Sequence, residues 1–406
     1  MAFALRASTL LLTAAAAAVT AVSEGDELLE KTRARVLDSA HRLPRYTCVE
    51  TVARAQYLPP LGSGSTCAAV MARHRQDDSQ GGLVMRDRLR LDVAVINGEE
   101  MFSWAGARRF ETRDIDRLVG GGASGSGDFG SFLLSVFGTA PEAIHYKGLS
   151  DNFALFDYVV PITRSNYRYR SDLAGVSRKT GYRGTFSVDP ADADVKQLVV
   201  ETDEFETGDK ACSVRHVMDY QRVELGNSDF LLPEVSTMNA LYRDGGESVN
   251  TTHYSNCREY VGESTIRFDD SPSAAAGKSH AAKQGPKPLP PDTLVKINLA
   301  RPIDTDTAAA GDEVTATAAF GHETARIHGR ILRLAQFMIP SPRWILVMNF
   351  DSIERGGVLQ PLSLTPIDGN QPSPFGALPK DAGVFTFGGR SDLVLDHKFH
   401  SVWETR

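Results

Sequence analysis

Four cysteines, Cys48, Cys67, Cys212 and Cys257, carry the clearest chemistry in this chain. They form an even set without a C-x-x-C pair or a histidine at ligand spacing, so neither a zinc site nor a dithiol redox motif is expected. In an oxidising compartment such a set reads as two disulfides. Three connectivities are open, and local pairing, Cys48 with Cys67 and Cys212 with Cys257, is the simplest. His216, His253, His322 and His328 stand singly on strand-like segments and read as satisfied or surface side chains. The Gly120–Gly127 loop (GGGASGSG) lacks the lysine of a phosphate cradle and reads as a connector. Neither a G-x-S-x-G elbow nor an H-E-x-x-H helix occurs. In Arg164–Arg170 (RSNYRYR), Arg168 and Arg170 share one strand face, with Tyr167 and Tyr169 on the other. Such interleaving can stack single-stranded nucleic acid or sugar, but in an acidic chain a solvated arginine face is the expectation. Asp77-Asp78 and Asp269-Asp270 lack the spaced oxygen ligands of a calcium loop. Asn250-Thr251-Thr252 is a formal glycosylation sequon, read here as accidental. No catalytic residue, metal site or cofactor is expected.

The compartment that gives the cysteines their meaning is read from the first residues. Arg6 supplies a positive n-region, Ser8 to Val22 is apolar, and Ala21-Val22-Ser23 offers a cleavage site before Glu24, so residues 1–23 read as a secretory signal. The apolar run is shorter than the roughly 20 residues that cross a bilayer, and no later stretch reaches that length. The expectation is an exported mature chain, periplasmic or secreted, with no transmembrane segment. A length of 406 residues favours two domains, and 42% hydrophobic and 23% charged residues are ordinary globular values. A net charge of −7 argues against nucleic acid as a partner.

The elements that must position these residues are mostly strands. Glu24 to Leu43 has a helical stripe (Leu28, Leu29, Thr32, Val36, Leu37, Ala40) ended by Pro44. Strand-like segments follow at Tyr46–Tyr57, Arg88–Ile96 and Met101–Phe110, the last two joined by an Asn97-Gly98 hairpin signal. Asp114–Leu118 and Asp128–Phe137 read as a helical interruption. Strands resume at Ala143–Lys147, Phe153–Val160, Tyr167–Arg170, Tyr182–Val188, Val195–Phe205, Cys212–Leu225, Phe230–Tyr242 and Val249–Glu259. Residues 269–291 are linker in composition, rich in Ala, Lys and Pro. From 292 to 406 a new set of short strands suggests a small β-barrel or sandwich with a C-terminal tail. The expected fold class is α+β: a curved antiparallel half-barrel over residues 24–268 with a covering N-terminal helix, plus a small C-terminal all-β domain.

The stretches RDRLRLDVAVINGEEMFSWAGARRF (Arg86–Phe110), DFGSFLLSVFG and TFSVDPADADVKQLVVETDEF (Thr185–Phe205) together resemble the periplasmic outer-membrane lipoprotein carrier family and its sensor-protein relatives. That resemblance implies a half-barrel able to hold an acyl chain. LPPDTLVKINLARPIDTDTAAAGDEVTATA is similar to the periplasmic β-barrel domain of type IV secretion scaffold proteins, which implies a docking module. Strand alternation nominates the binding residues: Leu89, Leu91, Val93 and Val95 on one strand, and Phe102 and Trp104 on its partner. The expected function is thus a non-enzymatic exported envelope protein whose partners are a hydrophobic ligand, acyl chain or apolar peptide, or another envelope protein. Two alternatives stand beside it. One is a structural or assembly factor with a filled core, and the other an enzyme of unrecognised class.

Overall fold

A computed structural model describes residues 25–60, 66–76, 80–96, 99–107, 109–113, 115–119, 129–138, 143–170, 177–260, 289–369 and 371–406. The signal reading at 1–23, most of the linker, the Asn97-Gly98 turn, the Gly120–Gly127 loop and both aspartate pairs lie outside the described residues. The chain divides into two compact units. The first holds residues up to Val84, Val93–Phe102 and Phe110–Glu259; the second holds Met85–Asp92, Ser103–Arg109 and Tyr260–Arg406.

The strands and helices that build the first unit are, in chain order, α1 (residues 25–42), β1 (Tyr46–Tyr57), α2 (Cys67–Gln76), β2 (Leu83–Ile96), β3 (Glu99–Trp104), α3 (Asp116–Val119) and α4 (Ser131–Phe137), with Met85–Asp92 of β2 and Ser103–Trp104 of β3 assigned to the second unit. Then come β4 (Ile144–Ser150), β5 (Phe153–Val160), β6 (Arg168–Arg170), β7 (Ser177–Lys179), β8 (Tyr182–Val188) and β9 (Val195–Thr202). The series closes with β10 (Ala211–Leu225), β11 (Ser228–Tyr242) and β12 (Glu247–Glu259). Antiparallel pairing runs in the order β4-β5-β8-β9-β10-β11-β12-β1, and β1 in turn pairs with β2. Alternation of buried and exposed residues along these strands sends Phe156, Phe186, Leu198, Val200 and Met218 into one core. Leu29 and Val36 of α1 and Val136 and Phe137 of α4 complete it.

One cross-chain ion cluster pins α1 to this core. Asp194, 3% exposed in its side chain, accepts two hydrogen bonds from Arg222, both at 2.6 Å, and one from Arg35 Nε at 3.1 Å. Burial alone would raise the Asp194 pKa, but the Arg222 and Arg35 guanidinium groups outweigh it and hold the carboxyl below its ordinary value. A depressed pKa means that this stabilisation is complete above about pH 4, the unfolded value, and is lost as pH falls through the folded one. Asp194→Asn is expected to lower stability at pH 7 by about 2 kcal/mol and to remove part of the acid dependence below about pH 4. Urea titrations of both proteins across that range check it; an unchanged acid limb contradicts the assignment.

The second unit comprises β13 (Leu294–Leu299), β14 (Ile303–Asp304), β15 (Glu313–Phe320), β16 (Glu323–Phe337) and β17 (Arg343–Arg355). It continues with β18 (Val358–Pro361), β19 (Leu364–Pro366), β20 (Gly383–Gly388), β21 (Val394–Leu395) and β22 (His400–Thr405). Pairing runs β19-β22-β13-β15-β16-β17, with β18 and β20 on different lengths of β17. Its core includes Ile297, Ile331, Leu346, Phe350 and the fully buried Trp403.

The expected fold class, an α+β curved half-barrel with a covering helix plus a small all-β domain, is contradicted. Eighteen strands belong to one hydrogen-bonded, mostly antiparallel sheet rather than to a half-barrel and a separate small domain. The physical reason lies in the polar side chains of β2, whose partners come from segments distant in the sequence. Met85, Arg86 and Asp87 pair with Phe337, Gln336 and Ala335 of β16. Arg86 donates to Gln336 at 2.7 Å and to Asp392 at 2.6 Å, with its guanidinium 5.3 Å from the Trp344 ring centre. Arg88 reaches the Asp306 carbonyl and Arg90 the Asp312 carboxylate. The close approach of Gly311 to the Arg90 carbonyl requires glycine: its φ is +105°, and a Cβ there would meet that oxygen at 2.1 Å. Nor is α1 a lid, because Leu29 and Val36 are built into a closed core.

The cysteine connectivity is also corrected. The bonds are Cys48–Cys257 and Cys67–Cys212, not the local pairs. β1 and β12 are neighbours in the sheet, which brings Cys48 and Cys257 to a Cα separation of 4.1 Å. Both bonds sit where the ladder is irregular, between Thr47 and Val49 of β1 and between Ala211 and Ser213 of β10. An extra residue at such a bulge redirects its side chain out of the regular alternation.

Candidate functional site

Helix α2 follows from local chemistry that carries little periodic signal. Thr66 caps it, accepting from the Ala69 backbone N–H at 3.3 Å, and Ala, Met and Arg favour helix within it. Arg73, His74 and Arg75 occupy the last turn, where positive charge suits the helix dipole. Only Cys67 and Val70 are fully buried. Cys67, Met71, His74 and Arg75 recur at helical spacing and so share one face.

That face meets the sheet on the side opposite the first unit's core. Strand register builds the floor: Arg215 of β10 pairs with Glu201 of β9 and with Asn239 of β11, so the three stand in one cross-strand row. The next row has Ser213, Leu241 and Glu247. Alternation turns Val200, His216 and Met218 to the other side. The Cys67–Cys212 bond, with a Cα separation of 5.3 Å, ties the first residue of α2 to β10. Between helix and sheet is a cavity of about 330 Å³, lined by Met71, His74, Arg75, Glu201, Ser213, Arg215, Asn239 and Leu241. This is the lower end of the range occupied by small-molecule sites.

The walls divide into fixed and uncommitted groups. Glu247 is 3% exposed; its Oε1 lies 3.3 Å from His74 Nδ1, and its Oε2 accepts from Asn239 Nδ2 at 3.2 Å. Both carboxylate oxygens are therefore engaged, and the pair holds the last turn of α2 over the sheet. Arg75, Arg215 and Glu201 are different. Among the described residues, none of the three has a hydrogen bond or ion pair, although Glu201 and Arg215 are cross-strand neighbours of opposite charge. A preformed cavity carrying such charges can bind a polar solute by charge-assisted hydrogen bonds.

The sequence-nominated binding residues lie elsewhere. Leu89 is 2% exposed, Leu91 and Val93 0%, Val95 2% and Phe102 1%; Trp104 is half-buried. They do not share a unit: Leu89, Leu91 and Trp104 belong to the second, and Val93, Val95 and Phe102 to the first. Tyr167 meets His216 at 3.1 Å and packs on Phe132, while Tyr169 stacks on Phe205 with ring centres 3.8 Å apart. Both tyrosines are thus engaged by the protein itself. His328 contacts Glu313 at 2.8 Å, and His253 and His322 are exposed. Among the described residues no three His, Cys, Asp or Glu side chains converge as metal ligands would. Sequence reasoning missed the cleft because α2 was not recognised; Thr66 before an Ala- and Met-containing run was the available signal.

No family model, curated protein or solved structure matches this chain.

Proposed function

We propose that this chain is an exported, non-enzymatic protein of the cell envelope that acts by binding a polar solute in the cleft beneath α2. The observation that carries the reading is the contrast in side-chain commitment. Five of the six apolar candidates are buried by the protein itself, whereas Arg75, Arg215 and Glu201 line a cavity with no partner among the described residues. Export is supported by two disulfides, and among the described residues no helix is long and apolar enough to cross a membrane.

Methionine-methyl NMR tests the reading, because Met71 lines the cavity. The Met71 resonance is expected to move on titration with a mixture of amino acids, organic acids and sugar phosphates. A fluorescent fatty acid is expected to show no saturable binding at tens of micromolar. Saturable fatty-acid binding with an unmoved Met71 overturns the reading in favour of a lipid carrier.

A further inference from the structure

We infer that the solute taken by the cleft is an acidic amino acid, carrying two carboxylates and one ammonium group. The inference rests on the reading of the cleft as a binding site and adds the chemistry of its occupant. Cross-strand neighbours place their Cβ atoms about 5 Å apart, near enough for a glutamate and an arginine to pair. Glu201 and Arg215 are such neighbours, yet no ion pair joins them. Arg75 enters from α2, the opposite wall, and is likewise uncommitted among the described residues. The cavity therefore presents two guanidinium groups and one carboxylate without partners among the described residues, while the neighbouring acid Glu247 is already engaged by His74 and Asn239.

Complementarity then selects the occupant. A simple phosphate or dicarboxylate would satisfy the arginines but face Glu201, and a simple amine would do the reverse. A solute with two carboxylates and one ammonium pairs every group: one carboxylate to each arginine, which can bind it through two parallel N–H donors, and the ammonium to Glu201. The Ser213 hydroxyl lines the same cavity as a further donor or acceptor, and Met71 and Leu241 provide apolar wall for a short methylene chain. A volume of about 330 Å³ accommodates a solute of this size.

Isothermal titration calorimetry on the full, disulfide-intact protein decides it, with L-glutamate, L-aspartate, glutarate and L-glutamine as titrants. L-glutamate or L-aspartate is expected to bind at least about tenfold more tightly than glutarate, which lacks the ammonium, and than L-glutamine, which lacks one carboxylate. Arg215→Met and Arg75→Met should each weaken binding about tenfold with circular dichroism unchanged, since both side chains are exposed. Glu201→Gln should abolish the preference over glutarate. If glutarate binds as tightly as L-glutamate and Arg215→Met still weakens it, the amino-acid assignment falls while the cleft remains a site. If none of the four binds and Met71 does not respond to the polar mixture, the cleft reading falls with it.

Discussion

Replacing Cys48 with serine, with Cys257→Ser alongside to leave no free thiol, is expected to lower the unfolding free energy by about 4 kcal/mol. The bond it removes joins residues 209 apart in sequence, and the Cys67–Cys212 bond, spanning 145, lies nested inside it. The inner bond shortens the ring that the outer one closes, so the loss of unfolded-chain restriction is smaller than the full span implies, yet larger than for a local ring. Urea unfolding of the wild-type and doubly substituted proteins measures the difference. Non-reducing peptide mapping supplies the independent check: the Cys48 peptide should be recovered linked to the Cys257 peptide. A Cys48–Cys67 linkage, or a loss below about 1 kcal/mol, contradicts the connectivity.

What could be read without coordinates follows from which interactions are local. Alternation at period two is written into each strand, so segments such as Tyr46–Tyr57, Tyr182–Val188 and Phe153–Val160 were located to within a residue or two. The α1 stripe was legible for the same reason, since Leu29, Thr32 and Val36 recur at helical spacing and are buried. Pairing is a different matter. Cys48 and Cys257 meet because β12 returns beside β1, and nothing near either cysteine encodes that return. Alternation along this strand reports only polarity, so nothing in it shows that Arg86, Arg88 and Arg90 are satisfied by segments distant in the sequence. The cleft was hidden twice. α2 buries only Cys67 and Val70 completely, which leaves too narrow an apolar stripe to recognise, and Glu201, Arg215 and Asn239 come from three strands that only register aligns.

The largest effect is expected from Leu91→Asp, which separates a filled interior from an open carrier groove. Were Leu91 the floor of a groove holding an acyl chain, aspartate there would remain in contact with water; the protein would fold and lose only its ligand. Leu91 is instead 0% exposed, with Leu89 at 2% on the same side of the strand. A carboxylate at that position must be either desolvated or protonated, and it removes the apolar contacts of a buried leucine as well. Loss of a buried Leu side chain alone costs about 2–5 kcal/mol, and the unpaired acid adds to it. That sum is comparable with the whole stability of an ordinary domain, so Leu91→Asp should fail to accumulate as folded protein. Leu91→Met, nearly equal in volume, should fold and cost less than about 1.5 kcal/mol. Circular dichroism and urea titration of the two variants give the answer. A Leu91→Asp protein with native circular dichroism and a stability loss below about 1 kcal/mol would mean that Leu91 faces water, and would return the apolar strand residues to candidacy as a lipid site.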